Sequence, residues 1–392
     1  MPSIPALVEP PVLKWARVQT NLEPIAVDRR IGAAKGSIEQ WERGEGNPTI
    51  VQLRKLAQVY KRPLAVFFLA APPVGFNTLR DFRRLAEIGH GEWSAALHAE
   101  YRRAHAQRDV LLELAELDGD GLSTNWRLPV PSDDDRLAES ARQHLRGLSV
   151  LPFPTPGADQ YKHLNFWTNA LEEAGVLVMS TEGGEVKVEE MRAFTLYFDE
   201  VPVIMLNGTD ATRGRLFSLL HEYVHLLLHT EGLCDTTTDT RSTSPDRMLE
   251  ARCNAVAAAI LMPAQDVLSA RLVGAHRAGD PWSLPDLIDA AKPFGVSVEA
   301  FLRRLVTLGK VPLKIYQEFR AGQGEGHSKK AKQRSSGGNF YSTKARDLGK
   351  GYVRRVAGAH RRAVIDSTTA ATYLDVKVGQ IPKLASASQV SG

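Results

Sequence analysis

The stretch LFSLLHEYVHLLLHTEG, from Leu216 to Gly232, constrains this chain more than any other. Apolar residues recur on every side of the helix it would form, and such a helix has to be buried. Yet it carries three histidines and two glutamates, and buried polar groups are costly unless they find partners. The spacing supplies the partner. His221 and His225 are four residues apart, one turn along one helix face. Two imidazoles placed this way can share a metal ion, and Glu222 sits beside the first of them as a candidate general base. This is the H-E-x-x-H arrangement, with the histidines as ligands and the glutamate as general base.

A catalytic zinc usually takes three protein ligands. A second helix packed on the first could supply the third from DRMLEARCNAVAAAILMP, residues 246–263. Glu250 is the first candidate, because the helix face beyond it is rich in alanine and permits close approach. Asp246 is the competitor.

Length and charge bound the rest. A chain of 392 residues holds two or three domains. It has no run of 18 apolar residues to span a membrane and no basic-then-apolar leader at its start. With two cysteines, Cys234 and Cys253, it has no disulfide framework, and a reducing, cytoplasmic setting is expected. The net charge of +4 hides an asymmetry. Arg320 to Gly392 holds 14 Lys/Arg against 4 Asp/Glu, a charge of +10, which leaves −6 on residues 1–319. A basic tail on an acidic body points to nucleic acid or an acidic partner.

The N-terminal part reads as short helices separated by glycine turns: VLKWARVQ, LEPIAVDRRIG closing at Gly32, AAKGSIEQWERG closing at Gly44, and NPTIVQLRKLAQVY with Asn47 as N-cap and Pro48 at the first helical position. After a proline-rich connection, a long helix is expected over 94–119 and another over 136–147. KHLNFWTNALEEAG predicts an amphipathic helix, VLVMS a buried strand, and RAFTLYF with PVIMLN a hairpin. Residues 321–338 are a Gly/Ser-rich basic linker, followed by a basic helix, a Thr-capped second helix and a short end.

Two resemblances follow from these residues. IGAAKGSIEQWERGEGNPTIVQLRKLAQVYKRPLAVFF resembles the XRE/Cro-type helix-turn-helix family. In that family the helix starting near Ala34 would enter the major groove of DNA, with Lys35, Ser37 and Gln40 towards bases and Arg43 near a phosphate. Glu39 departs from the pattern, since phosphates repel it; a helical module used for protein contact or a homodimer is the alternative. The order IMLN, RLFSLLHEYVHLLLH and LEARCNAVAAAILMP resembles the ImmA/IrrE family of zinc metallopeptidases. That resemblance implies His221, His225 and Glu250 as metal ligands and Glu222 as the catalytic carboxylate. It makes His229 and Asn254 residues of the ligand surroundings or the substrate groove. Zn2+ is the implied ion, though Mn2+ or Fe2+ suits the same donors. The DFRR stretch after the proline-rich connection also recurs in family members fused to such a module.

The expected architecture is therefore multidomain. An all-α helix-turn-helix domain occupies 1–70, a helical connector 71–155, and an α+β zincin-like metallopeptidase domain 156–319. A basic linker follows at 320–338 and a small basic helical unit at 339–392. The resemblance implies a DNA-binding zinc metalloendopeptidase that cleaves a protein partner such as a transcriptional repressor. The alternative is a non-proteolytic regulator, the DNA-binding antitoxin of a toxin–antitoxin-like pair, holding a nuclease toxin. No membrane partner is expected.

Overall fold

The computed structural model describes residues 5–18, 20, 22–60, 62, 64–72, 93–119, 121–229, 232–234, 245–276, 282–323 and 339–389. They divide into two compact units, Met1–Arg103 and Ala104–Gly392. The DFRR stretch lies outside the described residues, as does the expected linker beyond Gln323.

The first unit begins with α1 (Pro10–Val18), α2 (Pro24–Ile31), α3 (Ser37–Glu42) and α4 (Ile50–Val59), closed by a 3-10 turn at Leu64–Phe68. Val12, Val27, Ile31, Ile38, Leu53, Leu56 and Phe67 form its dry interior. Gly32 ends α2 in the left-handed conformation, as its position predicts. Two starts differ from the sequence expectation. The third helix begins at Ser37 rather than near Ala34, because the buried Asp28 carboxylate accepts from the Gly36 and Ile38 backbone N–H groups at 2.7 and 3.1 Å. That bond comes from eight residues away and is invisible to a local reading. The fourth helix takes Thr49, not Asn47, as its N-cap: Thr49 and Gln52 form a reciprocal capping box. Glu42 at the end of α3 is clasped by Arg17 of α1 through two bonds of 2.7 and 2.8 Å.

Helix α5 (Ala95–Asp118) starts in the first unit and ends in the second. The second unit continues with α6 (Asp134–Leu148) and α7 (Gln160–Glu173), then β1 (Leu177–Ser180), β2 (Ala193–Leu196) and β3 (Val203–Leu206). Next come α8 (Thr212–Leu227), β4 (Gly232–Cys234) and α9 (Pro245–Leu261). The strands form one sheet in the order β1-β3-β2-β4, with β1 parallel to β3 and the other pairs antiparallel. The predicted hairpin is the β2–β3 pair, with Phe194 opposite Met205. Every residue of β1, β2 and β3 is buried, which is why these strands read as apolar runs. Gly175, at φ 100°, ends α7 where a Cβ would collide with the Ser123 carbonyl oxygen.

Helix α8 lies on β2 and β3, and α9 lies on α8 and α6. The free carbonyls at the end of α9 are taken by buried arginines: Arg142 donates to Ile260 O at 2.6 Å and Arg304 to Met262 O at 3.0 Å. Beyond it run α10 (Ala264–Ser269), α11 (Arg271–Ala275), α12 (Leu284–Ala291), α13 (Val298–Thr307) and α14 (Leu313–Gln323). One hydrophobic core joins α6 through α14.

The C-terminal helices are α15 (Phe340–Leu348), α16 (Lys350–Arg361), α17 (Ser367–Tyr373) and α18 (Ile381–Ala387). They occupy the span expected as a small basic helical unit, and they pack on the sheet of the second unit. Helices α15 and α16 lie against β1, and α16 also meets α7. Glu172 of α7 accepts from the Gly351 backbone at 2.8 Å and from Arg354 at 3.1 Å; Lys344 reaches Glu182 at 2.9 Å. Part of the basic excess is thus spent on the acidic body. The N-cap of α17 is Asp366, not a threonine.

Candidate metal centre

Helix α8 sets the geometry. The residues around the motif are sealed on all sides: Leu219, Leu220, Tyr223, Val224 and Leu226 have no exposed surface. His221, Glu222 and His225 go into the interior with them, at 0, 0 and 1% exposure. The Tyr223 hydroxyl donates to the Trp126 carbonyl at 3.0 Å, away from the histidines. The Thr195 hydroxyl of β2 donates to the Glu222 backbone carbonyl at 3.2 Å, tying the helix to the sheet.

On the inner face, His221 Nε2 and His225 Nε2 are 3.0 Å apart. Glu250, from the middle of α9, lies with Oε2 at 3.2 Å from the first and Oε1 at 3.1 Å from the second. The three side chains offer donor atoms all within 4.8 Å of one another. Two imidazoles and one carboxylate converging this closely fit a single small divalent ion, and the set is one that catalytic zinc uses. Of the two candidate third ligands, Glu250 stands at the histidines; the Asp246 side chain lies outside the described residues.

Burial and mutual interaction shift the groups of the cluster. Burial pushes the Glu250 carboxyl up, but hydrogen bonds with His221 and His225 outweigh it and hold it at about 2. Burial pushes His225 down, yet bonds with Cys253 and Glu250 win and raise it to about 11. Burial pushes the Glu222 carboxyl up, against the pull of His225 and His221. Among the described residues the Thr195 hydroxyl is the one side-chain donor that acts on it, and it holds the carboxyl down only slightly. A fully buried carboxyl with so little hydrogen bonding is expensive, and such expense recurs at functional sites.

Cys253 was not singled out by the sequence. It is buried and free, and its thiol is hydrogen-bonded with His225. The signal was present: Cys253 follows Glu250 by three, so it shares the helix face that meets α8. Asn254 lines, with Glu250, a cavity of about 370 Å³ beside the cluster. His229 is elsewhere. The helix ends at Leu227, His229 takes a left-handed φ of 55°, and its Nδ1 meets the Tyr197 hydroxyl at 2.9 Å. It is exposed, and it is not among the three residues whose donor atoms converge.

Residues 171–306 match the family model of the IrrE N-terminal-like domain, Peptidase_M78. Over these residues the chain is similar to the IrrE-like peptidase family. Its match spans the sheet, both helices of the cluster and α13. Residues 13–67 match a helix-turn-helix model, so the IrrE-like domain follows a DNA-binding module in one chain, the fusion that the two sequence resemblances imply. No curated protein and no solved structure matches the chain. No helix among the described residues is long and apolar enough to cross a membrane.

Within the helix-turn-helix unit, Lys35, Gln40 and Arg43 are exposed and Ser37 is half-buried. Lys35 stands in the turn before α3, and Arg43 pairs with Glu45 at 3.1 Å. Glu39 is exposed on the same helix as Gln40.

Proposed function

We propose that this chain is a DNA-binding regulatory zinc metalloendopeptidase that cleaves a protein partner such as a transcriptional repressor. The observation that carries the reading is the convergence of His221, His225 and Glu250 beside the buried Glu222. His221, His225 and Glu250 would hold the ion. When bound, zinc supplies Lewis acidity towards a peptide carbonyl and towards water. Glu222 contributes the proton traffic: its carboxylate accepts a proton from the attacking water and returns it to the leaving amide nitrogen. Its full burial beside the cluster keeps it at the site for that exchange.

Glu222→Gln tests this reading in the full chain. Zinc content, measured by elemental analysis, should stay near one equivalent, and DNA binding should be unchanged. Cleavage of proteins encoded beside the gene should be lost. A His221→Ala/His225→Ala double variant should lose the ion. A Glu222→Gln chain that keeps its full effect in cells would overturn the protease assignment and favour the antitoxin reading, which needs contact surface and no base.

A further inference from the structure

The cavity beside the cluster has an uncommon wall. Five arginines line it, Arg192, Arg213, Arg303, Arg304 and Arg320, against two carboxylates, Glu250 and Glu299. Three of these arginines are committed to the fold. Arg192 faces Asp210 at 3.4 Å, Arg320 faces Glu299 at 3.4 Å, and Arg304 donates to the Met262 carbonyl. Arg213 is different: among the described residues it has no ion pair, and its buried Nε has no hydrogen-bond partner.

Arg213 also stands at a telling register. Residues 213, 217, 221 and 225 are spaced by four and form one stripe along α8. Phe217 lies between, stacked near the His221 ring with centroids 6.5 Å apart. Arg213 and His221 are therefore about 12 Å apart along the helix axis, at about 1.5 Å per residue. An extended peptide advances about 3.3 Å per residue. We infer that the cavity is a specificity subsite for an acidic side chain of the protein substrate, with Arg213 as its anchor, about three or four residues from the scissile bond. A guanidinium fork matches a carboxylate geometrically, and in a partly enclosed cavity the pair is screened less than on the surface.

This subsite rests on the peptidase reading for its position relative to a cut, but not for its binding. The test has two arms on one random dodecapeptide library. In the first, zinc-loaded full-length Glu222→Gln captures peptides, which are sequenced by mass spectrometry. Asp and Glu should be enriched at least threefold over the library. Adding Arg213→Gln should return them to library frequency, Arg213→Lys should retain part of the enrichment, and the exposed Arg271→Gln should change nothing. In the second arm the unmutated chain digests the library, and acidic residues should peak at one position about three or four from the cut. Acidic capture without any cleavage would retire the peptidase reading and leave the subsite standing. Cleavage with no acidic preference, or capture at library frequency, would overturn the subsite. So would enrichment that survives in an Arg213→Gln chain whose melting temperature and zinc content match the parent.

Discussion

Arg354→Met is the sharpest probe of how the C-terminal helices belong to the peptidase-family unit. Glu172 keeps only 5% of its side chain exposed, and Arg354 keeps 26%. Removing the arginine strands a buried carboxylate with a single remaining bond, from the Gly351 backbone. Breaking a buried pair from one side costs about 3–5 kcal/mol, and the partial exposure of Arg354 places this pair at the lower end, about 3 kcal/mol. For a unit of this length roughly 2 °C of melting temperature is lost per kcal/mol, so differential scanning calorimetry should record a drop of about 6 °C. Adding Glu172→Gln should recover most of it, because the residual buried charge is gone. The pH dependence has a definite sign. Burial raises the Glu172 carboxyl above its ordinary value of 4.5 despite Arg354. The folded state therefore holds more protons than the unfolded chain, and stability falls as pH rises past 4.5. Arg354→Met should steepen that fall. A single variant melting within 1 °C of the parent, or a double variant no better than the single, would refute the reasoning and restore a detachable C-terminal unit.

Removing residues 339–392 should expose the face of β1 that α15 and α16 cover, and the truncated chain should lose solubility and zinc together, measured on the purified soluble fraction. Cys253→Ala removes the hydrogen-bond partner of His225, and competition with a chromogenic chelator should find zinc affinity about 10–100-fold weaker. Asp28→Ala leaves the Gly36 and Ile38 N–H groups without their acceptor; it should cost the helix-turn-helix unit about 1–3 kcal/mol and abolish its DNA shift. With DNA from the gene's own upstream region, Lys35→Ala should reduce the slope of log K against log salt by about 0.9, Gln40→Ala should relax sequence preference, and Glu39→Gln should strengthen binding. An unaltered slope for Lys35→Ala would remove that lysine from the phosphate contacts.

Periodicity and spacing carry some properties without help from the fold. The four-residue step from His221 to His225 puts two imidazoles on one face of any helix, and the surrounding leucines bury that helix wherever it packs. Gly32 and the apolar runs of β1 and β3 are equally local, since backbone conformation and burial leave their mark on neighbouring residues. The sequence therefore determined that an apolar helix would carry a paired-histidine motif behind a helix-turn-helix module. Contacts between distant residues are less legible, because an alanine-rich face such as the one beyond Glu250 permits a close neighbour but does not set the distances. Only the tertiary structure brought Glu250 to 3.1–3.2 Å from both histidines, placed Cys253 beside His225, and moved the start of α3 to suit Asp28. His229 repeats the four-residue step, yet the helix ends at Leu227 and a left-handed turn sends it to Tyr197. By composition the basic C-terminal segment points to nucleic acid or an acidic partner, and within the fold Glu172 takes one of its arginines while its helices lie against β1. Charge counting registers how many cations a segment holds; packing decides which of them face water.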